Sequence, residues 1–153
     1  MAIELYRVRD IQTLALGFNY AAKIDLSTLG TTAGSATAVD IQVNEAAMAG
    51  GVYNCAIICD ELVRGTGITD ATIAIGDDGD ADGFVDEVDV FHDSGNLGKI
   101  FTNTGALLDD GLHLVSAVDL TYNFTGDGPD AATEGEIRLL FRYLPTAGEL
   151  YGA

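Results

Sequence analysis

Short runs in which apolar and polar residues alternate strictly are the feature that most constrains this chain. In the stretch 118–124, Val118, Leu120, Tyr122 and Phe124 fall at every second position, and residues 137–143 repeat the pattern with Ile, Leu, Phe and Tyr. Side chains of a β-strand point alternately to opposite faces, so a period of two predicts half-buried strands. The 19 glycines and only two prolines favour many tight turns. We therefore predict an all-β protein.

About eight such runs follow one another at spacings of about 10 to 20 residues. This arrangement predicts a two-sheet antiparallel β-sandwich of the jelly-roll type. One run, residues 52–63, is apolar on both faces. We expect this strand either to be packed on both sides within the sandwich or to bury its second face at a subunit contact.

The first dozen residues differ from the rest because their charges are mixed and their periodicity is weak. We interpret residues 1–12 as a candidate N-terminal arm that docks on a neighbour, or else as an edge strand, and residues 13–153 as a single β-sandwich domain. The predicted contact residues of the arm are two cations and three apolar or aromatic side chains, namely Leu5, Tyr6, Arg7, Val8 and Arg9. Its arginines suit an acidic partner.

Four further segments have a predicted conformation. Alternation over 13–20 predicts a strand with Leu14 and Leu16 on its inner face, and alternation over 112–124 predicts one long strand with Leu112 and Leu114 inside. Residues 44–48 are interpreted as one helical turn. Residues 84–91 are interpreted as a helical turn that leads into a strand.

The net charge of -17 restricts the partners of the chain. It repels nucleic acid and anionic membrane surfaces, and it disfavours self-association at low salt. The N-terminus lacks the basic start and apolar segment of a signal peptide, and no run approaches the ~18 apolar residues of a membrane span. We therefore expect synthesis in a cytoplasm and no membrane partner.

The two cysteines, Cys55 and Cys59, lie four residues apart in a predicted strand. At ~3.3 Å per residue they are about 13 Å apart, which is too far for a disulfide between them. A zinc pair needs closer spacing and further ligands. We predict that both are small core residues.

A cluster of carboxylates follows the strand pattern of residues 72–75. Residues 77 to 93 contain eight of the chain's 24 acidic residues and no Lys or Arg. The segment fits the calcium-loop pattern D-x-D-x-D-G, in which alternate carboxylates converge on the ion and a glycine allows the bend. The predicted ligands are five carboxylates and one carbonyl, namely Asp78, Asp80, Asp82, Phe84 (carbonyl), Asp86 and Asp89.

The context of this segment favours a second interpretation. The calcium loop of an EF-hand follows a helix, whereas here a strand precedes the loop. Aspartate and glycine also arise together in turns of very acidic chains. The segment is therefore either a calcium site or an acidic turn between two strands, and we expect no other cofactor.

The segment 76–84, Gly-Asp-Asp-Gly-Asp-Ala-Asp-Gly-Phe, resembles a turn motif of small virion proteins of tailed bacteriophages. Two other features of those proteins have counterparts here: the segment 48–52 before a long apolar strand, and a late strand with Gly135, Arg138 and Tyr143. The resemblance covers residues 45–144. Residues 93–108 depart from it as an insertion, and the N-terminal third does not align.

The resemblance implies a β-sandwich with a structural role in the virion. The expected function is non-enzymatic: a homotrimer that decorates or cements the capsid by binding the major capsid protein or other virion proteins at capsomer joints, made in the host cytoplasm. No nucleophile elbow, phosphate loop or zinc signature points to an enzyme. The alternative is a calcium-dependent module of a fibre or tail tip that binds a receptor or glycan.

Overall fold

The computed structural model describes residues 2–29, 37–102, 105–109 and 111–145. These residues form eleven β-strands, one short α-helix and three single 3-10 turns. The helix is α1 (Ile11–Ala15). The strands are β1 (Ile3–Arg7), β2 (Tyr20–Asp25), β3 (Thr37–Val43), β4 (Ala46–Ala47), β5 (Gly50–Gly65), β6 (Ile68–Gly76), β7 (Val85–Asp89), β8 (Ile100–Thr102), β9 (His113–Val115), β10 (Val118–Gly126) and β11 (Ala132–Pro145). The predicted all-β class is confirmed.

The strands form one sheet that curves into a near-barrel. Its order is β7-β6-β10-β3-β1-β2-β11-β5-β8, with β4 beside β3 and β9 beside β5. The end of β5 meets the chain that follows β7, where the amide of Val63 donates to the carbonyl of Val90 at 2.8 Å. All the strand pairs are antiparallel except β1 with β3.

The sheet differs from the predicted sandwich of about eight strands in two sheets. Strand β1 accounts for the difference, because it pairs with β3 on one side and β2 on the other and so joins the two halves. Below, the first half-sheet is β7, β6, β10 and β3, and the second half-sheet is β1, β2, β11, β5, β8 and β9. Their inner faces share one core that includes Ile41, Ile57, Ile75, Phe124 and Phe141.

The N-terminal segment is built into the sheet and is not a free arm. Strand β1 is an interior strand, so the alternative of an edge strand is wrong as well. Ile3 and Leu5 are buried in the shared core. Because residues 3–5 pair with β3 and residues 6 and 7 pair with β2, residues 3–7 are part of the domain that was predicted to begin at residue 13.

The predicted strand over residues 13–20 is wrong at its start. Residues 11–15 form α1, and the side chain of Asp10 caps it by accepting from the amide of Thr13 at 2.8 Å. A capping aspartate satisfies an amide that a helix end leaves unpaired, and here this local bond outweighs the alternation. Leu14 and Leu16 are therefore exposed, while Phe18 is buried.

The predicted strand over 112–124 is two strands. Strand β9 pairs with β5, whereas β10 pairs with β3 and β6. The inward face of β10 agrees with the alternation. Leu112 and Leu114 were predicted to face inward and are exposed, because the chain changes partner strands between the two segments.

The two predicted helical turns are also wrong. Residues 44 and 45 form the two-residue loop of the β3–β4 hairpin, with φ of 52° at Asn44 and 68° at Glu45. Positive φ at both positions is typical of the turn that suits the twist of a hairpin. Residues 85–89 form β7, because the amide of Phe84 donates to the carbonyl of Ile75 at 2.9 Å and extends the ladder of β6.

Cys55 and Cys59 are buried thiols of the core, as predicted. They lie on β5 opposite Phe141 and Ile137 of β11. Burial, followed by the nearby carboxylates of Asp60 and Asp89, raises the pKa of Cys59 to about 11. Both thiols therefore stay protonated at neutral pH, because burial also raises the pKa of Cys55.

Candidate functional site

The acidic segment is the loop of the β6–β7 hairpin. The Asp77 carboxylate accepts hydrogen bonds from the amides of Gly79 and Asp80, both at 2.9 Å. The carbonyl of Asp80 accepts from the amides of Asp77 at 2.9 Å and Gly83 at 3.1 Å. An aspartate that bonds its own backbone two or three residues ahead stabilises a tight turn. The loop is thus shaped by its own hydrogen bonds.

Glycines allow the chain to pass close to itself in this loop. A Cβ on Gly76 would collide with the carbonyl oxygen of Asp80, and one on Gly105 would collide with the carbonyl of Asp82. The amide of Gly105 donates to the carbonyl of Phe84 at 3.3 Å. The hairpin is therefore packed against the segment that starts at residue 105.

A carboxylate–imidazole contact ties the hairpin to the second half-sheet. Nε2 of His113 on β9 lies 3.0 Å from Oδ2 of Asp77, and the ring of Phe84 packs edge-on against the imidazole with centroids 5.7 Å apart. Burial by itself would raise the pKa of Asp77. The hydrogen bonds from His113 and from the amides of Gly79 and Asp80 outweigh burial and lower that pKa.

The six predicted calcium ligands do not converge on one point. Asp78 and Asp82 are exposed in the loop, whereas Asp86 and Asp89 lie on the extended strand β7. In a helical loop of twelve residues the last ligand turns back toward the first, but an extended strand carries it away at ~3.3 Å per residue.

Three of those ligands already accept hydrogen bonds from the protein's own backbone, and one of them is the Asp86 carboxylate, which accepts from the amide of Glu87 at 2.7 Å. The Asp89 carboxylate accepts from the amide of Phe91 at 2.9 Å, and the Phe84 carbonyl is bonded to Gly105. Among the described residues, no group of three or more His, Cys, Asp or Glu side chains is arranged to hold a metal ion. Calcium binding by the hairpin stays a prediction.

The structure brings together three carboxylates that the sequence motif did not connect. Asp40 of β3 and Asp119 of β10 are direct cross-strand partners, and Asp119 also lies opposite Gly76, two residues before Asp78. Burial, followed by the neighbouring carboxylates of Asp40 and Asp78, raises the pKa of Asp119. The Oδ1 atom of Asp119 is buried with no hydrogen-bond partner among the described residues.

A shallow depression of about 230 Å³, lined by apolar and polar side chains, lies on the outer face of the first half-sheet, beside the hairpin. Its polar lining includes Asp82, Glu87, Thr121 and Asn123. The hydroxyl of Thr72 donates to Oε1 of Glu87 at 2.5 Å. Carboxylates, hydroxyls and an amide in one depression offer hydrogen bonds to a polar ligand.

The predicted contact residues at the N-terminus surround a second groove, of about 450 Å³. Its lining includes Leu5, Tyr6, Arg7 and Arg9. Leu5 is buried and forms part of the protein's own core, whereas Tyr6, Arg7 and Arg9 are exposed. Val8 is half-buried, and its amide donates to the carbonyl of Asn19 at 2.9 Å.

Within the described part of the chain, the two arginines of this groove form no ion pair. The four carboxylates that do form ion pairs there contact other cationic side chains. The guanidinium of Arg7 lies 6.0 Å from the ring centroid of Tyr20. A guanidinium with no carboxylate beside it keeps its hydrogen-bond donors available to a partner.

Charged and apolar side chains are segregated between the two halves of the sheet. The strands of the first half-sheet and the acidic hairpin carry ten carboxylates and no Lys or Arg. The strands of the second half-sheet carry six carboxylates against the five cations Arg7, Lys23, Arg64, Arg138 and Arg142. The strands of the first half-sheet with the hairpin are therefore strongly anionic, whereas the strands of the second half-sheet are close to neutral.

The exposed large hydrophobic side chains follow the same division. In the described residues ten such side chains exist, and none belongs to the first half-sheet or the hairpin. They are Tyr6, Ile11, Leu14, Leu16, Tyr53, Leu97, Ile100, Leu112, Leu114 and Leu144. Sequence reasoning missed this segregation, because it depends on which strands become neighbours.

Comparison with protein-family models, curated proteins and solved structures gives no significant match. Among the residues that the structure describes, no helix has the length and apolar character needed to cross a membrane.

Proposed function

We propose that this protein is a non-enzymatic structural protein of a bacteriophage virion, which attaches to the capsid at capsomer joints. The observation that carries the proposal is the two-sided surface. Among the described residues, the acidic half has no exposed large hydrophobic side chain, which suits contact with water. Five of the ten such side chains lie on the strands of the nearly neutral half, which suits contact with protein, and the other five lie on or beside α1 and in loops. The turn motif of residues 76–84 supports the virion assignment.

The groove at the N-terminus is the proposed contact with the capsid. Exposed Tyr6 and the guanidinium groups of Arg7 and Arg9 are aromatic and cationic groups of the kind enriched at the centre of protein interfaces. A chain with a charge of -17 repels most acidic surfaces. Its two arginines without ion pairs give an acidic capsid segment a local binding point.

The experiment measures co-sedimentation of the purified protein with empty capsids of the phage that encodes it. Deletion of residues 1–10 is unsuitable, because it removes the interior strand β1. The double variant Arg7→Glu/Arg9→Glu keeps that strand and is expected to bind at least about tenfold more weakly, as for loss of buried charge contacts.

The matched control is Lys99→Glu, which reverses an exposed cation outside the groove. We expect it to bind like the unsubstituted chain. Equal binding by the double variant and this control would contradict the groove as the contact, and failure of the unsubstituted protein to bind any capsid would contradict the virion role.

One observation favours a second function, a calcium-dependent module that binds a receptor or glycan. The lining of the depression on the first half-sheet includes Asp82, one of the predicted calcium ligands, together with Thr121 and Asn123. A cation held by the hairpin would lie beside this depression. The effect of calcium and of a chelator on the melting temperature tests the calcium dependence that this function requires.

A further inference from the structure

Three exposed leucines meet on the outer face of the second half-sheet. Leu144 of β11 and Leu114 of β9 are both cross-strand partners of Gly51 on β5. A Cβ on Gly51 would lie 2.5 Å from Cδ1 of Leu112 and 3.8 Å from Cβ of Leu144. The leucine patch, formed by Leu112, Leu114 and Leu144, therefore covers a glycine at the start of β5.

The leucine patch is open to solvent in the single chain. Its members are 47%, 74% and 43% exposed for Leu112, Leu114 and Leu144. Exposure of neighbouring leucines is unfavourable in water, and a contiguous apolar patch is typical of an interaction site. Beside the patch, the guanidinium of Arg142 lies 5.3 Å from the ring centroid of exposed Tyr53. An aromatic ring and an arginine are the other groups typical of interface centres.

The distribution of charge indicates what covers this patch. Two copies of a chain with a charge of -17 repel each other through most of their surfaces. On the second half-sheet the charges are nearly balanced, and three of its cations are internally paired: Lys23 with Glu136 at 3.0 Å, Arg64 with Glu134 at 3.5 Å and Arg138 with Asp60 at 2.7 Å. A contact through this face keeps the two acidic half-sheets on opposite outer sides of the pair.

We propose that the leucine patch is a self-association site, at which two copies pack patch against patch. An isologous contact needs a surface that is complementary to itself, and an apolar patch with little net charge meets this condition. The arrangement buries the leucines of both copies and leaves the N-terminal groove for another partner. The proposed self-association does not depend on a role of the protein in the virion.

The experiment is sedimentation equilibrium of the purified full chain in low and high sodium chloride. We expect a dimer whose dissociation constant falls with added salt, because salt screens the repulsion between the acidic halves and does not weaken apolar contacts. Leu114→Asp is expected to weaken dimerisation roughly a hundredfold or more, since each contact loses two leucines and gains two charges. Leu114→Ser is expected to give a smaller loss, because it adds no charge.

The matched control is Ala47→Asp, which adds the same charge at an exposed position of β4 on the other half of the sheet. It is expected to dimerise within about threefold of the unsubstituted chain, and circular dichroism checks the fold of every variant. A monomer at all salt concentrations, a trimer, or a dimer that dissociates as salt is added would each overturn the proposal. So would a Leu114→Asp variant that dimerises like the Ala47→Asp control.

Discussion

Asp77 and Asp119 are two half-buried aspartates whose environments shift their pKa values in opposite directions. Asp77 accepts bonds from two amides and contacts His113, so its pKa is lowered. For Asp119, burial and the carboxylates of Asp40 and Asp78 raise the pKa. A hydrogen-bonded carboxylate is stabilised in its charged form, whereas a carboxylate beside like charges is destabilised.

We therefore predict that Asp119→Asn stabilises the protein at neutral pH. Removing one of two opposed like charges on neighbouring strands raises the free energy of unfolding by about 0.2–1 kcal/mol, which corresponds to a rise in Tm of about 1–4 °C. The gain is present above the raised pKa of the folded state. It fades as the pH falls through that value toward the unfolded value of 3.8, because the carboxyl is then protonated in both states.

Thermal melting at several pH values measures this effect. Asp93→Asn is the control, since it removes the same charge from an exposed loop residue. If Asp119→Asn melts no higher than Asp93→Asn at pH 7, the like-charge interpretation of Asp119 is wrong.

At the scale of single residues, alternation in the sequence correctly predicted which side chains are buried within an uninterrupted strand. The inward side chains of β10, such as Leu120 and Phe124, and both cysteines of β5 are buried as expected. The prediction failed at Leu112 and Leu114. Alternation only shows which residues of the same strand share a face of the sheet, and does not show how one strand is oriented relative to the next. Because β9 and β10 are separate strands, the inward face of β10 does not determine the inward face of β9.

Among the elements, the β6–β7 hairpin is the one for which sequence and structure must be weighed together. Its D-x-D-x-D-G spacing matches a calcium loop, but its last two predicted ligands lie on β7 and its shape is maintained by Asp77. Hydrogen bonds of the Asp77 carboxylate and of the loop backbone shape the turn. Calcium binding would therefore add stability to a preformed turn and would not create the turn.

The prediction for the hairpin is that millimolar calcium raises the melting temperature and that a chelator lowers it again. At a concentration one hundred times Kd, an ion that binds only the folded state stabilises it by about 2.7 kcal/mol. The variant Asp80→Asn/Asp82→Asn is expected to lose this response. Glu134→Gln, which removes an exposed carboxylate from β11, is the control and is expected to keep it. If the unsubstituted chain has the same melting temperature in calcium and in chelator, the prediction of calcium binding is wrong.

Two other elements show how local signals compete. The Asp10 cap produces α1 where alternation predicted a strand, and the positive φ values at Asn44 and Glu45 produce a hairpin where a helical turn was predicted. Both outcomes are set by one or two residues at the end of an element. Period counting over a longer window averages over such residues and so cannot detect them.

At the scale of the whole molecule, the net charge of -17 is concentrated on one side of the sheet. Ten carboxylates without a cation repel one another in the folded state more than in an expanded chain. We predict that Tm rises as sodium chloride is increased from about 0.01 M to 1 M, over which the screening length falls from about 30 Å to 3 Å.

Calorimetry of dilute protein measures this response, and potassium chloride serves as the comparison because screening depends on ionic strength and not on the cation. Equal rises in both salts are expected. A Tm that is unchanged or falls with salt would contradict a dominant role of self-repulsion.

The alternation of residues, the glycine-rich turns and the charge identified the all-β class, most strands and the acidic hairpin, because these signals lie within a few neighbouring residues. The tertiary structure decided the order of the strands: β1 between β3 and β2, Asp40 opposite Asp119, and Leu114 opposite Gly51. Each of these pairs joins residues that are far apart in the chain. Their pairing depends on how all the strands share one core, and no local pattern carries that information.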